Sequence, residues 1–474
     1  MPKEMQINRY RETKIRDLHL ITTDHGSWTA LNNDEYKEFI SGKINTPELY
    51  QKIYETGIII DEKNKKLILN KLKSKHAFLF QGPSLHIVIP TLRCNLKCKY
   101  CQAASKPINE KGYDMDKETA RKTVDFIFQS PAKEITIEFQ GGEPLVNLDI
   151  VKFIIEYALE KNKTFKKEVR FALVTNLTLL REDILDYMNK KGVGLCSSLD
   201  GSKQVHDNNR IYAQGSGSYD IVSKWIKKLN PSKEKRRVNC LPTLTKAALG
   251  KYKEIIDEYV SLNMDSIWLR FANDIGFTRE NPEINITSEE AINFYKNSIR
   301  YIIENDLPIK ETQASYILMK ILTNIDPNLV DLRTPCGAAI GQLLYNYDGK
   351  IFSCDEGRMS GDDIFCLGNV NQNFKEIISS KDTKCLIEAS FNDNYLCDNC
   401  AYKPYCGVCP VCNYHIYGTL IPNLSNDKRC KILKGQFEFI FEKFIFDEKY
   451  RKKFFKWAGF RNIPLQRRLM GLFT

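Results

Sequence analysis

Fifteen cysteines in 474 residues, ten of them beyond residue 335, most narrow what this chain can fold around. The first residues, MPKEMQINRYRETK, are polar, and no uninterrupted apolar run approaches the roughly 18 residues of a spanning helix, so the expectation is a cytoplasmic protein away from the membrane. In a reducing compartment, crowded thiols read as metal ligands or catalytic groups before disulfides. With 42% apolar and 27% charged residues the chain has ample material for a core, which excludes a wholly disordered or collagen-like polymer. Its formal charge of +11 admits nucleic acid, a membrane surface or an acidic partner and selects none of them.

Residues 1–80 read as a unit of their own, in the order ββααββ of a winged-helix-like fold. Strands at 19–23 and 27–31 flank Asp24-His25-Gly26; Asn32 with Glu35 forms a capping box; Thr46-Pro47-Glu48 starts a second helix; and 58–61 with 66–70 suggests a second hairpin. From His86 strands and helices alternate, the signature of a parallel sheet with crossover helices. Strands are expected at 86–90, 134–140, 169–175, 192–199, 237–244 and 267–272. The fold class is thus α/β: a partial (β/α)6 TIM-like barrel over 81–330, with its chemistry at the C-terminal strand ends. A cysteine-rich segment, 331–435, and a basic, aromatic tail, 436–474, follow.

Directly after the first barrel strand stand Cys94, Cys98 and Cys101, a C-x3-C-x2-C run. Three thiolates on one short loop suit three irons of a [4Fe-4S] cluster and leave the fourth iron open, whereas zinc, the competing reading, usually takes four protein ligands in paired motifs. With Tyr100 before the last cysteine, the loop resembles the radical S-adenosylmethionine (SAM) superfamily. Further stretches agree: Gly141-Gly142-Glu143-Pro144 after the second strand, Thr175-Asn176 after the third, Ser198-Leu199-Asp200-Gly201 after the fourth, then His206-Asp207 and Arg210. The resemblance implies that the open iron chelates SAM and that Tyr100, Gly141, Gly142, Glu143, Asn176, Ser198, Asp200 and Arg210 bind it. Arg210 would pair with the SAM carboxylate. It further implies reductive cleavage of SAM and hydrogen abstraction by a 5′-deoxyadenosyl radical. Taken singly, a GG pair is more often a tight turn and a lone His206 a surface or core residue; Cys196 and Cys240, within strands, read as small buried hydrophobes.

The later cysteines resemble the SPASM extension, an iron-sulfur domain of radical SAM enzymes acting on peptides and proteins, although the interval between Cys406 and Cys409 is two residues rather than the usual three. Carried over by position, an outer auxiliary [4Fe-4S] cluster takes Cys397, Cys400, Cys406 and Cys430, and an inner one takes Cys336, Cys354 and Cys409. Cys412, less favourably Cys366, or an open iron completes the inner one. A pair of zinc sites is the alternative on spacing alone. Asp355 and Glu356 follow Cys354; Asp355 reads either as the base of radical quenching or as a cap. Cys385 reads as structural.

The whole arrangement, including residues 85–94 and 402–410, is most similar to the His-Xaa-Ser system radical SAM maturases. That kinship implies an oxidoreductase acting on a ribosomally made precursor peptide, held by strand addition to the N-terminal unit, and a carbon-carbon crosslink between an aromatic ring and a neighbouring Cβ. An electron donor such as ferredoxin or flavodoxin, and a partner maturase, would complete the system. Thioether-forming and sulfatase-maturing enzymes are the runners-up, and a non-catalytic cluster protein binding nucleic acid is the reading from another class. The second N-terminal helix carries Glu48, Lys52 and Glu55 without arginine, which argues against DNA. The tail reads as a helix packing Phe454, Phe455, Trp457 and Phe460 inward, with a docking role as the sharper option. Three loaded clusters would lower the net charge to about +6 or +7, so the basic surplus needs no nucleic acid.

Overall fold

Residues 134–141 alternate, with Ile135, Ile137 and Phe139 buried and Thr136, Glu138 and Gln140 on the other face, so the segment forms a strand with one face in the core. In the computed structural model, which describes residues 6–459 apart from 233, 236, 392, 393 and the side chain of 331, this strand lies in an eight-stranded sheet. The order across it is Val238–Leu241, Val193–Ser198, Glu168–Val174, Glu134–Gly141, Leu85–Thr91, Gln342–Tyr345, Lys350–Phe352 and Cys366–Asn369. The first six run parallel to one another, and the pairings of the sixth with the seventh and of the seventh with the eighth are antiparallel. Helices Lys117–Ile127, Leu148–Phe165, Glu182–Lys190 and Tyr219–Leu229 supply the crossovers. Val124, Ile127, Val151 and Ile155 from these helices are buried with Ile137 and Phe139 in one core. Each such aliphatic residue contributes about 1.5–3 kcal/mol of burial. The other sheet face carries Thr136, Glu138 and Gln140.

The fifth and sixth strands depart from the expectation. Pro242 has no N–H to give, so the fifth breaks into Val238–Leu241 and Thr243–Leu244. Thr243–Leu244 pairs with Arg270–Phe271, and Ser266–Ile267 pairs with Lys310–Glu311, so residues 267–272 are not a continuous strand. In the gap the carboxylate of Glu311 accepts from Leu269 N–H at 3.1 Å and from Ala314 N–H at 2.6 Å, which also caps helix Thr312–Thr323.

The N-terminal unit is corrected as well. Three antiparallel strands, Tyr10–Ile15, Leu18–Thr23 and Trp28–Leu31, precede the two short helices, and residues 66–70, read as a strand, belong to helix Lys65–Lys75. Ile59–Ile60 pairs instead with Gln6–Ile7. The winged-helix order therefore lacks its second hairpin among the described residues. Arg11 Nε donates to Asp398 O at 2.7 Å, Thr22 Oγ1 to Ala401 O at 2.8 Å and Trp28 Nε1 to Ile321 O at 2.8 Å, fastening this unit to the cysteine-rich segment and to helix Thr312–Thr323.

Two boundaries read from sequence cut through continuous structure. Gln342–Tyr345 pairs with the first barrel strand, from Gln342 opposite Leu85 to Tyr345 opposite Val88, so the cysteine-rich segment extends the barrel sheet across residue 331. Helix Lys428–Phe446 runs through residue 436. Helix Glu448–Trp457 buries Phe454, Phe455 and Trp457, as the amphipathic reading expected, and Phe460 lies outside the described residues. Among the described residues no helix is long and apolar enough to cross a membrane.

Candidate active site

The loop after Leu85–Thr91 is held chiefly by backbone-to-backbone bonds. Lys97 N–H donates to Ile211 O at 2.7 Å, Lys99 N–H to Asn209 O at 3.0 Å and Phe277 N–H to Cys101 O at 3.1 Å. Cys94, Cys98 and Cys101 thereby line one cavity of about 170 Å³ together with Tyr100, Gly141, Gly142, Asn176, Ser198 and Arg210. Burial pushes the Cys98 thiol up to about 12, with Arg210 pulling it back, and burial followed by the Glu143 charge pushes Cys94 up also. Three thiols around one cavity, none in a disulfide, suit an iron-sulfur cluster.

The glycines are required by packing. A Cβ on Gly141 would stand 2.3 Å from Thr91 O, at a φ of +132°, and one on Gly142 would stand 2.3 Å from Arg93 O. The close approach is to the cysteine loop's own backbone. Glu143 and Asp200 lie behind the cavity wall and position those who line it. Glu143, 1% exposed, accepts from Leu145 N–H, Thr175 Oγ1 and Asn176 N–H at 3.1, 2.8 and 2.7 Å, joining the ends of two strands. Burial raises its pKa to about 7 against those three donors. Asp200, wholly buried, accepts from Tyr100 OH at 2.6 Å, Arg210 Nε at 3.1 Å and Thr243 N–H at 3.0 Å, while the Arg210 guanidinium lies 5.2 Å from the Tyr100 ring. Asn176 Nδ2 donates to Asn95 Oδ1 at 3.0 Å, which sets the loop beside Cys94.

His206 supports this cluster from inside. Its Nδ1 accepts from Asp200 N–H at 3.4 Å, and its Nε2 pairs with Ser218 Oγ at 3.0 Å. Burial lowers its pKa from the usual 6.5 to about 4; Asp200 opposes that shift and Arg210 adds to it. The folded value lies below the unfolded one, so the unfolded chain takes the proton first. The neutral ring's contribution is complete above pH 6.5 and declines as pH falls toward 4. Between pH 7 and pH 5 this residue should cost about 2 kcal/mol of stability. His206→Gln should flatten the pH dependence by that amount in denaturant melts at the two pH values; equal slopes would contradict it.

A second set of groups meets the cysteine loop. Cys354 caps helix Asp355–Met359, its thiol accepting from Gly357 N–H at 3.2 Å, so the capping role considered for Asp355 belongs to Cys354. The Cys354 thiol and the carboxylates of Asp355 and Glu356 lie within 4.8 Å of one another. Asp355 faces Glu138 of the barrel strand, whose pKa is raised by burial and further by the Asp355 charge. Glu356 lies 4.0 Å from Arg270. Arg358 Nη2 donates to Ala103 O at 2.9 Å, tying this helix to the three-cysteine loop. Glu138, Gln140, Arg270 and Arg358 escaped the sequence reading. Alternation with Ile137 and Phe139 was the available signal for the first two.

The remaining cysteines gather as two groups. Cys406 is raised by burial and by repulsion from Cys400, Cys430 and Cys397, and Cys430 is raised to about 11 by burial, Asp427, Cys400 and Cys397. Cys354 is raised by burial and, among its neighbours, by Cys409 and Cys336; Cys412 N–H donates to Cys409 Sγ at 3.4 Å. Cys366 instead faces Gly368 O at 3.5 Å, and Cys385 is exposed. Cys196 is half-buried on the lumen face rather than in the core, whereas Cys240 is buried. Four thiols in one group, and three plus Cys412 in the other, suit two further clusters.

This chain carries a radical SAM domain: residues 88–233 match the Radical SAM superfamily. It is similar to the cysteine-type anaerobic sulfatase-maturating enzyme of Clostridium novyi (strain NT), 26% identical over 360 residues, covering 74% of this chain and 92% of that protein. It is also similar to the radical SAM cyclopropyl synthase TigE of Paramaledivibacter caminithermalis, 22% identical over 466 residues, covering 88% and 92%. The fold matches the solved structure described as native anSMEcpe with bound AdoMet and Cp18Cys peptide, at a TM-score of 0.65 and 22% identity, covering 77% of this chain and 98% of that one.

Proposed function

We propose that this protein is a radical SAM peptide maturase with three [4Fe-4S] clusters. The observation that carries the reading is the bond from Arg358 to Ala103, which ties the short helix after Cys354 to the three-cysteine loop. Cys94, Cys98 and Cys101 would hold the SAM-binding cluster. Cys397, Cys400, Cys406 and Cys430 would hold the outer auxiliary cluster, and Cys336, Cys354, Cys409 and Cys412 the inner one. When bound, cluster and SAM together supply the electron and the 5′-deoxyadenosyl radical that takes hydrogen from substrate.

This chain's own residues do the rest. The Arg210 guanidinium, held by Asp200, lines the cavity and would meet the SAM carboxylate. Gly141 and Gly142 bring the second strand's end against the cysteine loop, and Glu143 anchors Asn176. Asp355, opposite Glu138, would take the proton that substrate releases as the product radical gives up an electron, which the inner auxiliary cluster would accept. The N-terminal sheet offers Tyr10–Ile15, paired on one side only within its sheet, as the edge to which a leader peptide would add. Substrate is then a ribosomally made peptide of the His-Xaa-Ser type, the product a carbon-carbon crosslink, and the reductant a ferredoxin or flavodoxin, and a partner maturase would complete the system.

Coexpression with a candidate precursor should lower the peptide's mass by one hydrogen molecule per crosslink. Asp355→Asn should still cleave SAM yet yield at least about 10-fold less product. Product at the normal rate from that variant would remove Asp355 from the role. Similarity to the C. novyi enzyme over 74% of this chain favours a second reading, maturation of a sulfatase. An unmodified precursor beside a modified sulfatase peptide would select it.

A further inference from the structure

Among the described residues four arginines are buried: Arg11, Arg210, Arg333 and Arg358. The first three each hold an aspartate, Asp24 at 2.6 Å, Asp200 at 3.1 Å and Asp326 at 2.6 Å. Arg358, 8% exposed, is the exception. Among the described residues its guanidinium enters no ion pair and makes one hydrogen bond, from Nη2 to Ala103 O at 2.9 Å, while Nε is buried without a partner. Asp355 faces it but does not pair with it. A buried cation left without an anion is strongly destabilising, so the structure calls for one beside Arg358.

Its surroundings say where that anion belongs. Arg358 lies one helical turn beyond Cys354, its N–H donating to Cys354 O at 3.2 Å, and its side chain reaches across to Ala103, two residues beyond Cys101. Burial lowers its pKa, and the charges that oppose this are, in order, Cys101, Asp355 and Tyr347. The guanidinium stands behind the three-cysteine loop and does not line the cavity beyond it, so what it brings to that site is charge rather than contact with a bound molecule.

Three thiolates around a 2+ iron-sulfur core carry a net charge of about −1, and about −2 once the core has taken an electron. A fixed cation beside them favours the more negative state. We infer that Arg358 is a positioning residue that balances the charge of the cluster held by Cys94, Cys98 and Cys101 and raises its reduction potential. The reduction in question moves one electron from the ferredoxin or flavodoxin to the cluster; the donor is oxidised by that electron, and no proton or bond changes place. The inference rests on the proposed function and adds to it what sets the potential at which the radical chemistry starts. The cysteine-rich segment thereby tunes a cluster that the barrel holds.

The test is a redox titration of the full-length, anaerobically purified protein followed by electron paramagnetic resonance. The signal at issue is the one missing from a variant with Cys94, Cys98 and Cys101 all replaced by alanine. Arg358→Met and Arg358→Gln should each shift its reduction equilibrium at least about 10-fold toward the oxidised state, which is about 59 mV for one electron. Arg358→Lys keeps the charge and should fall by less than about a third of that. The two neutral side chains differ in shape, so that if one variant loads no iron the other still decides. An unmoved potential in the neutral variants would overturn the inference. So would a lysine variant that falls as far as they do, since the shape of the side chain and not its charge would then set the potential. A wild-type protein with no signal beyond those of the triple alanine variant would contradict the proposed function instead.

Discussion

Replacing Cys94, Cys98 and Cys101 together by alanine is expected to remove about four of about twelve irons and to bring SAM cleavage to background, with the fold intact. The fold should survive because the loop is fastened through backbone groups, Lys97 to Ile211, Lys99 to Asn209 and Phe277 to Cys101, none of which uses sulfur. The auxiliary thiols should keep their metal because they are drawn from residues 336–430 and form their own two groups. Iron analysis and chromatography of 5′-deoxyadenosine measure both outcomes. Loss of all the iron would mean that the three sites are not independent, and loss of none would mean that the loop holds no cluster.

Gly142→Ala should act almost as severely without removing any ligand. The new Cβ would stand 2.3 Å from Arg93 O, 2.4 Å from Leu92 O and 2.6 Å from the Arg93 carbonyl carbon, all of them backbone atoms without a rotamer to yield. The backbone cannot simply separate, because Gly142 N–H donates to Thr91 O at 3.0 Å and Glu143 N–H to Arg93 O at 2.9 Å. Overpacking of this kind costs about 1–3 kcal/mol. Displacing the start of the cysteine loop by a fraction of an ångström should lower SAM cleavage by about 10²-fold. Gly194→Ala is the control. Its nearest neighbour, Phe171 O, would be 3.7 Å from the new Cβ, so thermal stability should be unchanged. Equal cleavage by Gly142→Ala and wild type would show that this close approach has no bearing on the site.

The elements that make chemistry local were legible in the sequence. Cys94, Cys98 and Cys101 fall within eight residues behind an apolar strand, so period and spacing together put them at the barrel mouth. The helix of residues 448–457 was legible for the same reason, since Phe454, Phe455 and Trp457 share one face at helical spacing. What depends on pairing between distant segments was not. Residues 66–70 carry an apolar run that suits either period, and the packed helix wins. Gln342–Tyr345 finds its place only by pairing with Leu85–Thr91, Gln342 lying opposite Leu85 257 residues earlier, and so carries the sheet into the cysteine-rich segment. Glu143 and Asp200 stood out by motif, but their partners, Thr175, Asn176, Tyr100 and Thr243, turn them into supports behind the wall.

The most direct measurement is the yield of 5′-deoxyadenosine when the anaerobically purified, iron-loaded protein is reduced with dithionite in the presence of SAM. The account predicts 5′-deoxyadenosine and methionine in equal amounts from the wild type and neither from the Cys94, Cys98 and Cys101 triple variant. Fully iron-loaded wild-type protein that leaves SAM intact, or a triple variant that still cleaves it, would contradict the central claim.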